Sequence, residues 1–265
     1  MSEETIQNTA CFLFDLDGTI YLGDKLLPGA EDLLSFLDKA HRPYFFLTNN
    51  SSRSRMDYVA KLKGYGLEVP QEKIFSSGMA TAIYLKKEKP GARIYLVGTP
   101  SLEKEFKSYG FQLVEDEPDY AVLGFDTTLT YRKIHKLCDF VVDGIPYIAT
   151  HPDINCPTPD GFMPDIGAMM AMIETSTGKA PDVIVGKPYA PLVEAIVELT
   201  GFEPEQLTMV GDRLYTDIAM GDAGIQTVLV LSGEANLEDL ASAPVQPDLV
   251  CEGLDELLEI LRRKS

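Results

Sequence analysis

Residues 11–23, CFLFDLDGTIYLG, decide how this chain reads. Cys11-Phe12-Leu13-Phe14 is continuously apolar, the mark of a strand buried on both faces in a parallel sheet. The strand ends in Asp15 and Asp17, one residue apart, and Gly18 then lets the chain turn away. Carboxylates beyond the end of a buried strand fall in the crevice where open α/β sheets bind their ligands. A plain Asp-Gly turn would use the same residues, so the stretch needs support from the rest of the chain.

Composition narrows the field. A chain of 265 residues suits one large domain or two modest ones. The net charge of −18 argues against nucleic acid and anionic membranes as partners. It leaves room for a small phosphorylated metabolite, because a metal ion and one local lysine can reverse the field inside a cleft. No apolar run reaches about 18 residues, so no membrane span is expected. The start, MSEETIQNTA, is polar and acidic and lacks the pattern of a signal peptide. Cys11, Cys138, Cys156 and Cys251 are far apart and form no CxxC, which disfavours a zinc site or a disulfide framework and fits a reducing cytoplasm.

Strand-like apolar runs alternate with helical patterns throughout, the signature of a parallel α/β protein. A helix is expected from Pro28-Gly29-Ala30 with Leu33, Leu34 and Leu37 as its stripe. A strand follows at Tyr44–Leu47, then a helix with Met56, Val59 and Leu62 on one face. A second set of elements spans roughly 80–182, with strands at Arg93–Val97, Tyr120–Leu123 and Pro146–Ala149 and helices near 101–108, 130–141 and 164–176. Residues 149–165, ATHPDINCPTPDGFMPD, read as a long loop, and long loops are often functional. Met163, Met169, Met170 and Met172 read as core filling. The first pattern resumes at Val183–Val185, continues through a helix ending at Gly201 and the strand Leu207–Val210, and ends with a helix from about Thr216 and the strand Thr227–Leu231. The expected fold is therefore α/β: a Rossmann-like parallel-sheet core with helices on both faces, made of residues 1–79 and 183–265, plus an inserted smaller α/β cap domain at 80–182.

Four polar signals share one position in this scheme: Asp15/Asp17, Thr48/Asn49, Lys187 and Asp212/Asp217 each follow an apolar strand. Strand ends of one parallel sheet face one edge, so these groups are expected to converge. Thr48 or Ser51 could simply cap a helix, and Lys187 could be a solvated lysine. Four such groups at four strand ends are a different matter, and the chemistry they suit is phosphoryl transfer. Asp15 and Asp212 offer hard oxygens to Mg²⁺, and one carboxylate can attack phosphorus. Thr48 and Asn49 offer donors to phosphoryl oxygens, Lys187 adds positive charge, and Asp17 can exchange a proton with the leaving group and then with water.

DLDGT at 15–19, TNNSS at 48–52, GKP at 186–188 and GDRLYTD at 211–217 resemble the four motifs of the haloacid-dehalogenase superfamily. Their order and spacing resemble its NagD-like, p-nitrophenylphosphatase-type branch, as do GTPSL at 98–102 and THPD at 150–153. The resemblance implies Asp15 as nucleophile and Mg²⁺ ligand, and Asp17 as general acid/base that ligates the metal through its backbone carbonyl. It implies Thr48, Asn49 and Lys187 as phosphate-binding residues, Lys187 also steadying Asp15. Asp212 would be a further Mg²⁺ ligand, with Asp217 supporting it. Asp153, within the loop His151–Phe162, is expected to bind substrate, because choice between leaving groups must come from outside the shared motifs. The expected activity is Mg²⁺-dependent hydrolysis of small phosphomonoesters, sugar phosphates or nucleoside monophosphates, through an aspartyl phosphate. A phosphomutase or phosphotransferase of the same superfamily, or a non-catalytic phosphate-binding protein, are the alternatives; the second would be expected to have lost Asp15, Asp17 or Lys187. Homodimerisation is left open. There is no GxxxxGK[ST] or GxGxxG, so neither a P-loop nor a dinucleotide fingerprint is supported.

Overall fold

The structure, a computed structural model, describes residues 3–158 and 161–263. Its strands in chain order are β1 (Cys11–Phe14), β2 (Tyr21–Leu22), β3 (Lys25–Leu26), β4 (Tyr44–Thr48), β5 (Ile74–Ser76), β6 (Arg93–Val97), β7 (Gln112–Leu113) and β8 (Tyr120–Leu123). They continue as β9 (Tyr147–Ala149), β10 (Asn155–Thr158), β11 (Gly161–Pro164), β12 (Val183–Ile184), β13 (Leu207–Gly211), β14 (Gln226–Val230) and β15 (Leu249–Cys251). The contacts divide the chain into two compact units. One holds residues up to Thr48, Val59–Phe75 and the chain from Ile196 on; the other holds Asn49–Tyr58 and Ser76–Ala195.

The first unit is built on a six-stranded sheet in the order β15-β14-β13-β1-β4-β5. β1 runs parallel to both β13 and β4, with Phe14 opposite Val210 on one side and Phe46 on the other. Every residue of β1 and of β13 is buried, which is why both read as unbroken apolar runs. From β1 the chain builds outward through β4 and β5 on one flank and returns through β13, β14 and β15 on the other. The strand order therefore reverses at β1, and such a switch point opens a crevice beyond the carboxyl ends of the strands. The helix Ala30–Lys39 buries Leu33, Leu34 and Leu37, with Glu31 and Asp32 at its N-terminal turn and Lys39 at its C-terminal turn, the arrangement its dipole favours. It packs on the helix Leu254–Arg262, whose Leu257, Leu258 and Leu261 are buried.

The second unit has a five-stranded sheet in the order β12-β9-β8-β6-β7, with parallel pairings throughout. Tyr95, Leu123 and Tyr147 from its strands, with Phe125 just beyond β8, form a core with Ile134 and Leu137 of the helix Tyr131–Val142 and Ile166 and Ile173 of the helix Ile166–Thr177. The chain is thus an α/β protein with a Rossmann-like parallel sheet flanked by helices and further, smaller sheets. No helix among the described residues is long and apolar enough to cross a membrane.

Several elements differ from the sequence reading. The strand at 183 does not return to the sheet of β1: β12 pairs with β9, Val183 opposite Ile148. A short apolar run carries no information about which sheet it joins, because only a partner strand defines the register. The expected loop 149–165 contains an antiparallel ribbon, β10 with β11, in which Cys156 faces Met163; Pro159 and Asp160 of that stretch lie outside the described residues. Met169 and Met170 do pack on the core, but Met163 and Met172 are exposed, as is Met56 on the helix Arg55–Gly64. The helix expected from Thr216 is a short 3₁₀ segment, Ile218–Ala223.

Candidate active site

In the first unit, the ends of β1 and β13 bring carboxylates together. The Asp15 amide donates to Val210 O at 2.9 Å, extending the β1–β13 ladder by one residue and fixing where Asp15 leaves the sheet. Asp15, Asp212 and Asp217 are all buried, and each offers an oxygen within 4.8 Å of the others. Chain segments close around Asp212. The Glu234 amide donates to Asp212 Oδ2 at 2.7 Å, and the Ala235 amide donates to Asp212 O at 3.1 Å. A Cβ at Gly233 would sit 1.9 Å from Asp212 Oδ2, and one at Gly18 2.3 Å from it; Gly18 also has φ +89. No other residue fits at either place without displacing the carboxylate. Asp217 Oδ2 accepts from the Arg213 amide at 3.0 Å.

Three buried carboxylates this close repel one another in a medium of low dielectric, and burying them together is favourable only with a cation to balance them. The donor set is all hard oxygen, which suits the divalent alkaline-earth ions and not soft metals. The cluster could therefore hold a metal ion.

The Asp17 carboxylate is held separately. Tyr21 Oη donates to Asp17 Oδ2 at 3.0 Å, and Lys61 Nζ lies 3.7 Å from Asp17 Oδ1. Lys61 also stands 3.8 Å over the Tyr21 ring, a cation–π contact that locks the pair. The Gly18 amide donates to Tyr21 O at 2.8 Å, which turns the chain so that Tyr21 can reach back. Thr48, the last residue of β4, is buried.

In the second unit, Asn49 organises a different cluster. Its Oδ1 accepts from the Lys187 amide at 2.8 Å, and its Nδ2 donates to Lys187 O at 3.2 Å, so one side chain clasps the Lys187 backbone at both ends. The same Nδ2 donates to Asp153 Oδ1 at 2.7 Å. A Cβ at Gly186 would come within 2.7 Å of Asn49 Oδ1, which explains the glycine before the lysine. Lys187 is buried. Asp153, expected to bind substrate, is buried against Asn49. Lys187 follows β12 and is therefore not delivered by the sheet edge that carries Asp15 and Asp212; the expectation that one sheet supplies all four signals holds for β1, β4 and β13 only.

This chain is matched over residues 12–112 by the haloacid dehalogenase-like hydrolase family and over residues 184–257 by a second, HAD-hydrolase-like family. The acid sugar phosphatase of Staphylococcus aureus is 33% identical to it over 254 residues, covering 95% of this chain and 98% of the relative. The chain belongs to the haloacid dehalogenase-like hydrolases. Within this superfamily it lies in the NagD-like, p-nitrophenylphosphatase-type branch of phosphatases. The crystal structure of 4-nitrophenylphosphatase from Thermotoga maritima matches with a TM-score of 0.94 at 46% identity, covering 97% of this chain and 99% of that one. NagD from E. coli K-12 matches with a TM-score of 0.87 at 32% identity, covering 94% and 98%. As a member of this branch, the chain is a phosphatase.

Sequence reasoning missed Tyr21 and Lys61, the residues that hold Asp17, and the segment 232–235 that encloses Asp212. Tyr21 could have been found, since it lies only four residues after Asp17. Lys61 and Gly233 carried no signal, because their partners are remote in sequence. All four cysteines are free thiols. Burial pushes the Cys11 and Cys251 thiols up to about 12, which makes them inert as nucleophiles.

Proposed function

We propose that this phosphatase hydrolyses small phosphomonoesters, sugar phosphates or nucleoside monophosphates, with Mg²⁺ and through a phosphoryl-aspartate on Asp15. The observation that carries the reading is the cluster of Asp15, Asp212 and Asp217 beyond the ends of adjacent parallel strands, with the separately held Asp17 carboxylate two residues from Asp15. The acid sugar phosphatase and 4-nitrophenylphosphatase named above support the substrate class.

Asp15 Oδ attacks phosphorus as the bond from phosphorus to the ester oxygen breaks. Asp17 gives its proton to that departing oxygen, which leaves as an alcohol. The Asp17 carboxylate then takes a proton from a water molecule, whose oxygen attacks phosphorus and breaks the bond to Asp15. Tyr21 and Lys61 orient Asp17 for both transfers. Thr48 and the Asn49 backbone amide donate to the phosphoryl oxygens, and Lys187 balances their charge. Mg²⁺, when bound, would lie on the Asp15 and Asp212 carboxylates and the Asp17 backbone carbonyl, beside Asp217, and would neutralise charge on the phosphoryl group.

Residues 80–182 would act as a cap that selects the leaving group. The selecting residues would lie on the stretch that carries exposed Ile154, Phe162 and Met163. Free thiols are compatible with a cytoplasmic enzyme.

The test has two parts. A panel of phosphomonoesters assayed with Mg²⁺ should show release of phosphate that chelation stops. Acid quenching during turnover should recover protein phosphorylated on Asp15 and labile to hydroxylamine. Turnover without a labelled protein, together with an active Asp15→Asn variant, would sink the covalent mechanism. Exchanging residues 154–162 for those of a relative with another preference should reorder the substrates and spare 4-nitrophenyl phosphate; an unchanged order would place selection elsewhere in the chain.

A further inference from the structure

His151, Asp153 and Asp165 form a second buried cluster, entirely within the second unit. His151 Nδ1 lies 3.7 Å from Asp153 Oδ1, and Nε2 lies 3.6 Å from Asp165 Oδ1. Each ring nitrogen thus has a different carboxylate as its neighbour. The Phe125 ring meets the imidazole edge to face, with centroids 6.5 Å apart, and leaves the ring little freedom.

Each carboxylate has a second task. Asp165 Oδ1 accepts the Ile166 amide at 2.6 Å and caps the helix Ile166–Thr177. Asp153 Oδ1 accepts Asn49 Nδ2 at 2.7 Å, and Asn49 clasps the Lys187 backbone. The ends of the β10–β11 ribbon are tied to the same residues: the Asp165 amide donates to Ile154 O at 2.9 Å and the Gly167 amide to Asp153 O at 2.7 Å. A continuous buried chain, Asp165–His151–Asp153–Asn49–Lys187, therefore runs from the base of the ribbon to the lysine.

We infer that His151 is a positioning residue: held between Asp153 and Asp165, it fixes the carboxylate that orients Asn49, and through Asn49 the backbone of Lys187. The inference rests on the phosphate-binding roles proposed above for Asn49 and Lys187. Its chemistry is simple. Two carboxylates buried within reach of one imidazole are tolerated only if the ring shares charge or hydrogen bonds with both. Without the ring Asp153 would turn toward other donors, and the Asn49 amide would lose its anchor.

The test is a set of variants assayed with 4-nitrophenyl phosphate, with inorganic phosphate as competitive inhibitor. His151→Gln should raise KM and the phosphate Ki together by about five- to tenfold, with a smaller fall in kcat. Asp165→Asn retains the helix cap, since Asn accepts the Ile166 amide as Asp does, but lacks the charge that faces His151. It should move both constants in the same direction by a lesser factor, and it decides the matter if H151Q does not fold. The H151Q/D153N double variant should be no worse than Asp153→Asn alone, within about twofold, because both act on one contact. A lowered melting temperature with the parent's Ki, or additive effects in the double variant, would make His151 merely structural and overturn the inference. Parent activity and a raised Ki in Lys187→Ala are the controls: if these fail, the phosphate-binding roles themselves are wrong, whereas if they hold and H151Q and D165N keep the parent's Ki, only the role of His151 falls.

Discussion

Asp15, Asp212 and Asp217 gather three carboxylates in the six-stranded unit, whereas Asp153 and Asp165 stand with the His151 imidazole and the Asn49 amide in the five-stranded unit. Both clusters are buried, yet their electrostatics differ in kind. The first is a set of acids alone, with backbone amides donating to Asp212 and Asp217 and glycines close against Asp212. The second mixes acids with an imidazole and an amide. A set of carboxylates suits a cation, while a set that mixes carboxylates with an imidazole and an amide suits holding a side chain still.

The largest effect expected is on Asp15. Asp15→Asn should lower phosphate release by about 10³-fold or more, since a carboxamide is a poor nucleophile. In the absence of metal it should melt no lower than the parent, because one of three mutually repelling charges is gone. Turnover by this variant, in a preparation cleared of contaminating phosphatase, would break the assignment. Lys187→Ala should weaken inhibition by inorganic phosphate by about 10²-fold while keeping the metal-induced shift in melting temperature. Loss of that shift would mean that the two clusters are not separable.

Metal sharpens the contrast further. Mg²⁺ at about 100 times its Kd should stabilise the parent by about 2.7 kcal/mol, a rise of roughly 5–10 °C for a chain of this size. Asp212→Asn should abolish the rise and Asp153→Asn should keep it. Asp153→Asn should itself cost about 1–3 kcal/mol, read by denaturant unfolding, because it removes the charged acceptor of the Asn49 amide; a neutral or stabilising result would show that burying this carboxylate costs as much as its hydrogen bond gains. The smallest effect is assigned to Tyr21→Phe, which removes one hydrogen bond to Asp17. It should reduce kcat a few-fold, about 1 kcal/mol, with KM unchanged, and a change confined to KM would place Tyr21 on substrate binding.

Much of this was legible in the chain itself. β1 and β13 declared themselves as unbroken apolar runs because both faces of each strand are covered, and the acids after them had to emerge at the strand ends. Asn49, Lys187 and Asp153 were singled out as residues, but their mutual arrangement was not legible: nothing local indicates that the Asn49 side chain spans 138 positions to clasp the Lys187 backbone. The ribbon within 149–165 was hidden by its prolines, which suit an isolated edge ribbon as well as a loop. The exposed methionines looked like core for a related reason, since hydropathy reports what a residue tolerates and not which face it occupies.

The sequence by itself determined the class of fold, the order of the acid-bearing strand ends and the kinship with haloacid dehalogenase-like phosphatases. These depend on local patterns, apolar period and motif spacing, which are written along the chain. Only the tertiary structure decided that β12 joins the sheet of β9 and not that of β1, that Asp17 is held by Tyr21 and Lys61, and that His151 stands between two aspartates. Each of these is a pairing between segments, and a short strand or a single polar side chain has many partners of equal local merit. The choice among them is made by the packing of everything else.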